Sequence, residues 1–393
     1  MHKTFIAPQA VPRGKNLCRL SVAGALWEMV FMMRKKFFRL VLCALLALTS
    51  AAFAGPVSFT DSYGNVVTLA SPAKRVVSLP IPLSTLLVAV NGSPDALVGM
   101  HPSTKVAVRD GMMGKMFPAM LDINSSICGS SGWVPNVEEI AALEPDLVFQ
   151  WGSEGADTIE PLKNAGLTVA LVRFGKQENL EEFVDIMGTA LGKSDRAKDI
   201  LGWMHAVRAD VARRVAAVPA ERRPRALSLF RARAGLKASA AGTYHGESLE
   251  FSGGANVAAH LNGYPDINVE QVLEWDPEVI VLNNFEPDVF PQLIYDNPLL
   301  ADVSAVKNRR VFRAPLGGYR WDPPSQESPL MWLWLAKILL PSSFNDDLRG
   351  MMAERFKFLY NYNLSEDEMD SILWLGQNGA KSPQYRAMFG RSR

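Results

Sequence analysis

The chain has 393 residues, 48% hydrophobic and 21% charged, a globular composition that suits two lobes of about 100–150 residues better than one small core. Its formal net charge of +1 is misleading, because residues 1–54 hold eight Lys/Arg and one acid. Without them, 33 basic and 39 acidic residues remain, and this net charge of −6 excludes the broadly basic surface of a nucleic-acid-binding protein.

The amino-terminal segment has the parts of a secretory signal peptide. Four basic residues between Arg34 and Arg39 precede an apolar run at 40–48, and residues 52–54 supply the small-x-small pattern of a cleavage site. The apolar run is too short to cross a bilayer. We therefore expect residues 1–32 to be an upstream extension and residues 33–54 a signal peptide cleaved after Ala54. The mature protein would be periplasmic, with Cys128 as its single cysteine and no internal disulfide.

The first lobe is predicted over residues 55–175 and contains short apolar segments typical of buried parallel strands. These segments lie at 75–79, 147–149 and 169–172. The segment before the second of them predicts a short helix capped by Asn136, with Glu139 closing a capping box. Glu138, between them, is left free to point outward.

A helical connector is predicted over residues 176–219, which hold no proline until Pro219. One helix runs from Glu178 to about Gly192. A second begins at Ser194–Asp195 and continues to about Val218, a length of roughly 35 Å at 1.5 Å per residue. A connector of this kind resists large hinge motion.

The second lobe, predicted over residues 220–340, repeats part of the first. Residues 268–280 align without a gap on residues 136–148, so that Asn268, Glu270 and Pro277 match Asn136, Glu138 and Pro145. Further strands are predicted at 226–230, 279–282 and 311–313, and Gln271 would close a capping box on Asn268. Residues 341–393 predict C-terminal helices with a capping box at Ser365 and Glu368. The fold class is therefore α/β, with two doubly wound lobes joined by a long rigid α-helix and followed by C-terminal helices.

Glu138 and Glu270 occupy the same position in the two repeated segments. An acid in a first helical turn is already favoured by the helix dipole, at about 0.3–1 kcal/mol. Its recurrence in both lobes favours a docking role, in which each carboxylate meets an arginine on a two-fold partner.

Several short motifs, in this order along the chain, resemble one known family. They lie at 61–65, 75–78, 97–99, 136–148, 253–256 and 268–270. The chain resembles the class III, helical-backbone periplasmic binding proteins of ABC importers, which carry ferric siderophores, haem or cobalamin. The resemblance implies a monomer that has no cofactor, captures an iron chelate between its lobes and delivers it to an ABC permease dimer. It also implies that Glu138 and Glu270 engage arginine pockets on the two permease subunits.

Ligand-contacting residues are predicted where strands end, because ligands of open α/β sheets lie beyond the carboxyl ends of the strands. Aromatic rings with a few arginines suit an anionic chelate. The predicted ligand residues are Trp133, Trp151, Arg231, Tyr244, His245, Tyr319, Arg320 and Trp321. Trp203, Trp332 and Trp334 are expected in the core instead.

The identity of the ligand stays open at this stage. Residues 319–329 resemble a branch that includes haem-, molybdate- and nickel-associated members, so a molybdate, tungstate or nickel-complex receptor is the alternative. The histidines after residue 54 have no paired spacing, which disfavours a directly bound metal. No nucleophile elbow or P-loop is present, so no catalytic residue and no enzyme are predicted. A non-transport periplasmic scaffold is the remaining class of alternative.

Overall fold

The computed structural model describes residues 55–129 and 132–391. The predicted extension, signal peptide and cleavage site lie outside the described residues and stay predictions. Within the described part of the chain, no helix combines the length and apolar character needed to cross a membrane.

The first lobe is a parallel sheet with the strand order β4-β3-β5-β6, preceded by an antiparallel hairpin of β1 and β2. Its elements are β1 (Val57–Thr60), β2 (Val66–Leu69), β3 (Val76–Ser78), α1 (Leu83–Asn91), β4 (Leu97–Met100), α2 (Pro102–Asp110), α3 (Met113–Met116), α4 (Val137–Ala142), β5 (Leu147–Trp151), α5 (Ala156–Asn164) and β6 (Val169–Val172). The hairpin was not predicted. Asp61 builds its turn by accepting the N–H groups of Tyr63 and Asn65, each at 2.9 Å, and ties it to the sheet by accepting that of Leu171.

The connector consists of α6 (Gln177–Ala190) and α7 (Ser194–Ala216), as predicted. The N-cap of α7 is Lys193, which makes no side-chain capping bond, so the predicted cap at Ser194–Asp195 is wrong by one position. One face of α7 is buried through Ile200, Met204 and Val211. At 23 residues the helix is roughly 35 Å long.

The second lobe is a mixed sheet with the strand order β10-β8-β7-β11-β12 and β9 paired with β7. Its elements are β7 (Arg225–Arg231), β8 (Leu236–Ala238), α8 (Tyr244–Phe251), β9 (Ala255–Asn256), β10 (Asp266–Ile267), α9 (Val269–Trp275), β11 (Val279–Leu282), α10 (Pro291–Tyr295), α11 (Ser304–Lys307) and β12 (Val311–Arg313). The central strands β7, β11 and β12 are parallel, and β8 runs antiparallel to β7. All four residues of β11 are buried, as a continuous apolar run in a covered parallel sheet requires.

The C-terminal residues form helices that pack on the rest of the chain. These are α12 (Ser328–Leu339), α13 (Leu348–Tyr360), α14 (Glu366–Ile372), α15 (Leu375–Asn378) and α16 (Pro383–Phe389). Short 3-10 helices lie at Pro118–Leu121, Gly152–Glu154, Ala220–Arg222 and Pro298–Leu300. The predicted capping box at Ser365 and Glu368 is confirmed.

One hydrophobic core links the first lobe, the connector and the C-terminal helices. Leu83 of α1, Met204 of α7, Trp334 of α12 and Phe356 of α13 belong to the same buried cluster. The expected burial of Trp203, Trp332 and Trp334 is confirmed. The second lobe adds a cluster around β7 and β11. A long helix packed into this core is a stiff connection, and the predicted fold class is confirmed, whereas the lobe boundaries at 175, 219 and 340 stay predictions.

The repeat in the sequence is matched by a repeat in the backbone. Glu144 and Asp276, which occupy equivalent positions, both adopt the uncommon left-handed conformation, with φ of 44° and 40°. In each lobe the arginine that begins or precedes the first parallel strand closes over this turn. Arg75 Nε donates to Glu144 O and Arg225 Nε donates to Asp276 O, both at 3.0 Å.

Candidate ligand site

The carboxyl ends of the parallel strands define one edge in each lobe. In the first lobe, β5 and β6 end at Trp151 and Val172. In the second lobe, β7 and β11 end at Arg231 and Leu282. Side chains at these two edges are the first candidates for ligand contact.

The first-lobe edge presents aromatic rings. The Trp151 ring is 9% exposed, meets Phe174 edge-on at 5.2 Å between centroids, and its indole nitrogen is buried without a hydrogen-bond partner in the described residues. Trp133, in the loop before α4, is 50% exposed and lies 5.8 Å from the His101 ring. Both predicted tryptophans therefore lie in this part of the first lobe.

Both ring nitrogens of His101 are hydrogen-bonded to backbone groups. Its Nδ1 accepts the N–H of Ser103 at 3.0 Å as the N-cap of α2, and its Nε2 donates to the carbonyl of Gly132. Burial lowers the pKa of His101, which keeps the ring neutral. A histidine with both nitrogens engaged in this way has no free lone pair for a ligand.

The β1–β2 hairpin adds a tyrosine to the first-lobe edge, where it meets an arginine that directly follows β6. The Tyr63 ring lies against Gly152, where a Cβ atom would overlap the ring. The Arg173 guanidinium stands 4.7 Å from the centroid of the same ring. Arg173 is exposed and has no ion pair within the described residues. Its charge is therefore available to a ligand.

The second-lobe edge holds a compact aromatic cluster. The Phe230 ring lies 4.1 Å from Tyr264, 5.5 Å from His245 and 5.8 Å from Phe285. His245 Nδ1 and the Tyr264 hydroxyl are hydrogen-bonded at 2.9 Å. Four rings at such spacings make a stable wall of low polarity.

Two guanidinium groups flank this aromatic cluster. Arg231 lies 4.5 Å from the Phe230 centroid and 5.7 Å from that of Phe285, and Arg320 lies 5.1 Å from the Phe285 centroid. Neither forms an ion pair within the part of the chain that the structure describes. Arg320 is 7% exposed, and its Nη1 has no hydrogen-bond partner there. An unpaired buried charge is costly, which favours an anionic ligand as its partner.

Polar groups lie beneath the same edge. Asp322 Oδ2 accepts the N–H of Asn284 at 3.3 Å and lies 3.8 Å from His245 Nε2. Asp322 Oδ1, Asn283 Nδ2 and His245 Nε2 are buried without hydrogen-bond partners among the described residues. Ser228, His245, Asn283 and Asp322 line one small cavity. Such a set can bind either ordered water or a polar group of a ligand.

Three other predicted ligand residues make mainly internal contacts. The Tyr244 hydroxyl donates to Ser328 Oγ at 3.0 Å, and the Trp321 indole donates to the carboxylate of Glu327. Tyr319 is almost fully buried, which raises its pKa to about 12. The ligand-contacting role of all eight predicted residues stays a prediction, but the structure brings Arg231, His245 and Arg320 together.

Some residues of these edges were not predicted. Arg173 and Phe285 follow predicted strands closely, so the strand-end rule could have found them. Tyr63 and Tyr264 reach the edges from turns, and the sequence carries no comparable signal for them. Asp322 belongs to the segment 319–329, in which only Tyr319, Arg320 and Trp321 are predicted to contact the ligand.

The two repeated glutamates are exposed at the starts of their helices. Glu138 lies in α4 and Glu270 in α9. Each helix leads directly into a parallel strand, so it runs antiparallel to that strand and its N-terminus lies toward the carboxyl edge of the sheet. Asn268 and Gln271 form the predicted capping box, whereas at Asn136 the structure shows only the bond from the Glu139 N–H.

The described residues contain no group of three or more His, Cys, Asp or Glu side chains placed to hold a metal ion. Cys128 is a free thiol whose pKa burial raises to about 11. A thiol with a raised pKa is a poor nucleophile at neutral pH.

Comparison with known proteins decides the family. The family model described as "Periplasmic binding protein" matches residues 86–316, more than half of the chain. The chain belongs to this family. The predicted membership in the periplasmic binding proteins of ABC transporters is thereby confirmed, and the relatives are substrate-binding transport proteins rather than enzymes.

Individual relatives are similar over most of their length. The molybdate-binding protein MolA of Haemophilus influenzae is 26% identical over 353 residues, which cover 84% of this chain and 97% of MolA. The Fe(3+)-citrate-binding protein YfmC of Bacillus subtilis is 27% identical over 65% of this chain and 76% of YfmC. A periplasmic solute binding protein of Veillonella parvula is 28% identical, with a TM-score of 0.77 over 84% of this chain and 99% of that structure. Members of the family carry transported ligands rather than cofactors and work with ABC permeases.

Proposed function

We propose that this periplasmic binding protein captures a compact anionic metal compound in the crevice between the carboxyl edges of its lobes. The observation that carries the proposal is the pair of guanidinium groups, Arg231 and Arg320, that flank Phe285 without an ion pair among the described residues. Arg173 on the first lobe supplies a third unpaired guanidinium. Three positive groups at the strand ends favour an anion over a neutral or cationic ligand.

Molybdate or tungstate is the first candidate. MolA, named as molybdate-binding, aligns with this chain over nearly the whole length of MolA, so the shared region includes both lobes of this chain. A tetrahedral oxyanion is recognised by convergent N–H donors, and Arg320 Nη1, Asn283 Nδ2 and Trp151 Nε1 are buried donors without partners in the described residues.

A ferric chelate is the second candidate, favoured by the aromatic rings. Trp133 and Tyr264 are 50% and 38% exposed, more ring surface than a small oxyanion can cover. Rings of this kind stack on the organic part of a siderophore, citrate complex or haem. YfmC, named as Fe(3+)-citrate-binding, aligns with about two thirds of this chain.

Ligand titration of the exported protein tests the proposal and separates the two candidates. Molybdate, tungstate, ferric citrate and sulfate would be titrated separately, with tryptophan fluorescence and calorimetry as readouts. We expect saturable binding of at least one metal compound, with sulfate as the matched anion that binds more weakly. If none of the metal compounds binds more tightly than sulfate, the proposal fails.

The exposed glutamates are the proposed contacts with the permease. Glu138 and Glu270 lie one in each lobe, and neither forms an ion pair within the described residues. Their equivalent places near the two carboxyl edges suit a two-fold permease dimer that receives the open side of the crevice. Arginine is the favoured partner because its planar guanidinium binds carboxylate with two hydrogen bonds.

A further inference from the structure

A buried carboxylate lies behind the loop that carries Arg320. Glu327 has no exposed surface and immediately precedes α12. Its carboxylate accepts the Gly318 N–H at 3.0 Å, the Trp321 indole N–H and the Tyr360 hydroxyl. One acid therefore connects the loop between β12 and α12 to the C-terminal helix α13.

The loop fits closely around this carboxylate. A Cβ atom at Gly318 would lie 2.6 Å from Glu327 Oε1, and one at Gly317 would overlap Oε2. Gly317 O also accepts the Met112 N–H at 2.8 Å, so the same loop contacts the first lobe. Gly318 and Trp321 are both hydrogen-bonded to Glu327, and Tyr319 and Arg320 lie between them in sequence. The two bonds therefore fix the backbone from which the Arg320 guanidinium extends toward the proposed crevice.

The hydrogen-bond partners of Glu327 favour the ionised form. Gly318 N–H and the Trp321 indole can only donate, and the Tyr360 hydroxyl already accepts from Gln326 Nε2 at 2.8 Å. A protonated carboxyl still accepts at its carbonyl oxygen, but its O–H faces these donors, so the contacts of the protonated oxygen would be weakened. Burial raises the pKa of Glu327 to about 7, which brings the change into the neutral range.

Few other charged groups face this network. Tyr360 is the ionisable group in direct contact from α13, and burial together with Glu327 raises its pKa well above the ordinary value. Arg196 of α7 exerts its field on Tyr360, while Arg320 and Asp322 are the charged residues of the loop itself. His245 lies at the same edge of the second lobe and is hydrogen-bonded to Tyr264 rather than to Glu327.

We infer that Glu327 is a positioning residue: its ionised carboxylate holds the 317–321 loop so that Arg320 meets the ligand, and its protonation weakens ligand binding. The inference rests on the proposed function, because it needs Arg320 to contact an anionic ligand. It goes beyond that function by assigning a pH-dependent release of ligand to one buried acid outside the crevice.

The test measures affinity for molybdate between pH 6 and pH 8.5, a range in which molybdate keeps its charge. If molybdate does not bind in the titrations above, the ferric compound that does is the probe. For the unaltered protein we expect affinity to fall roughly tenfold from pH 8 to pH 6, as loss of one charge-assisted hydrogen bond predicts. Glu327→Gln should lower affinity at pH 8 by a similar factor and remove the pH dependence, since the amide cannot titrate.

Two further variants keep the test decisive. Tyr360→Phe retains the acid but removes a donor that favours its ionised form, so the midpoint of the pH profile should move to higher pH. His245→Gln alters a predicted ligand residue, so the affinity itself is free to change, but the pH dependence should remain, because we assign it to Glu327. A profile that survives Glu327→Gln, or an affinity that rises as pH falls, would overturn the inference.

Failure of the inference and failure of the proposed function are distinguishable. If Arg320→Ala abolishes binding and Glu327→Gln leaves the pH profile unchanged, the inference is wrong and the proposed site stands. If Arg320→Ala leaves the affinity unchanged, the proposed site fails first and the inference falls with it. If Glu327→Gln only lowers the melting temperature, Glu327 has a purely structural role.

Discussion

The two lobes share a backbone plan and differ at the edge where a ligand would bind. In each, an Asn-capped helix with an exposed glutamate leads through a left-handed residue into a buried parallel strand. The first-lobe edge then presents Trp133, Trp151 and one exposed arginine, whereas the second presents two arginines over an aromatic cluster with buried polar groups beneath. The repeated part is held by local backbone bonds, whereas the residues proposed to recognise a ligand lie at the strand ends or in the loops that follow them.

We expect the two lobes to behave alike at Glu138 and Glu270, the proposed docking glutamates, and the loss of both carboxylates should have the largest effect. Reversing both charges, with Glu138→Arg and Glu270→Arg, should abolish uptake by cells while leaving ligand affinity unchanged, because neither carboxylate is among the predicted ligand residues. Uptake of the identified ligand and calorimetry on the purified variant are the two measurements. The matched control is Glu139→Arg with Glu274→Arg, which reverses exposed charges on the same two helices.

Normal uptake by the double variant would remove the docking role and leave the helix dipole as the only account of these acids. Loss of uptake in the control as well would mean that net charge, and not two specific carboxylates, determines docking.

We expect the arginines of the two lobes, Arg173 and Arg231, to contribute unequally to ligand binding. Arg231→Ala should weaken binding of an anionic ligand roughly 10- to 100-fold, because its charge is half-buried over the Phe230 and Phe285 rings. Arg173→Ala should weaken it only about two- to fivefold, since an exposed charge is screened by solvent. Calorimetry at two salt concentrations measures both, and the Arg173 effect should shrink more at high salt. Equal effects would show that the two edges contribute charge alike.

The sequence predicts most of the scaffold and less of the site. Strands such as 279–282 are identified from their apolar runs, and the repeat is identified because its Asn, Glu and Pro recur at the same spacing. The contacts of Tyr63 with Gly152 and of Glu327 with Gly318 join segments that no local pattern links. For the same reason the sequence does not reveal that the Trp321 indole is bonded to Glu327, and the predicted ligand contact of Trp321 stays a prediction.

The smallest expected difference between the lobes concerns the stability of the repeated helices. At α9 the cap is complete, since Asn268 accepts the Gln271 N–H at 2.8 Å and the Gln271 side chain accepts the Asn268 N–H at 3.0 Å. At α4 the one bond, from the Glu139 N–H to Asn136, is 3.4 Å long. Asn268→Ala should therefore destabilise the protein by about 1 kcal/mol and Asn136→Ala by about 0.5 kcal/mol. Urea unfolding measures both losses of stability, provided that the transitions have equal slopes. Gln271→Ala removes only the bond from the Asn268 N–H to the Gln271 side chain. A larger loss of stability from Asn136→Ala than from Asn268→Ala would contradict this ranking. The longer hydrogen bond would then not be the weaker one, and the helix that carries Glu138 would be held more firmly than the helix that carries Glu270.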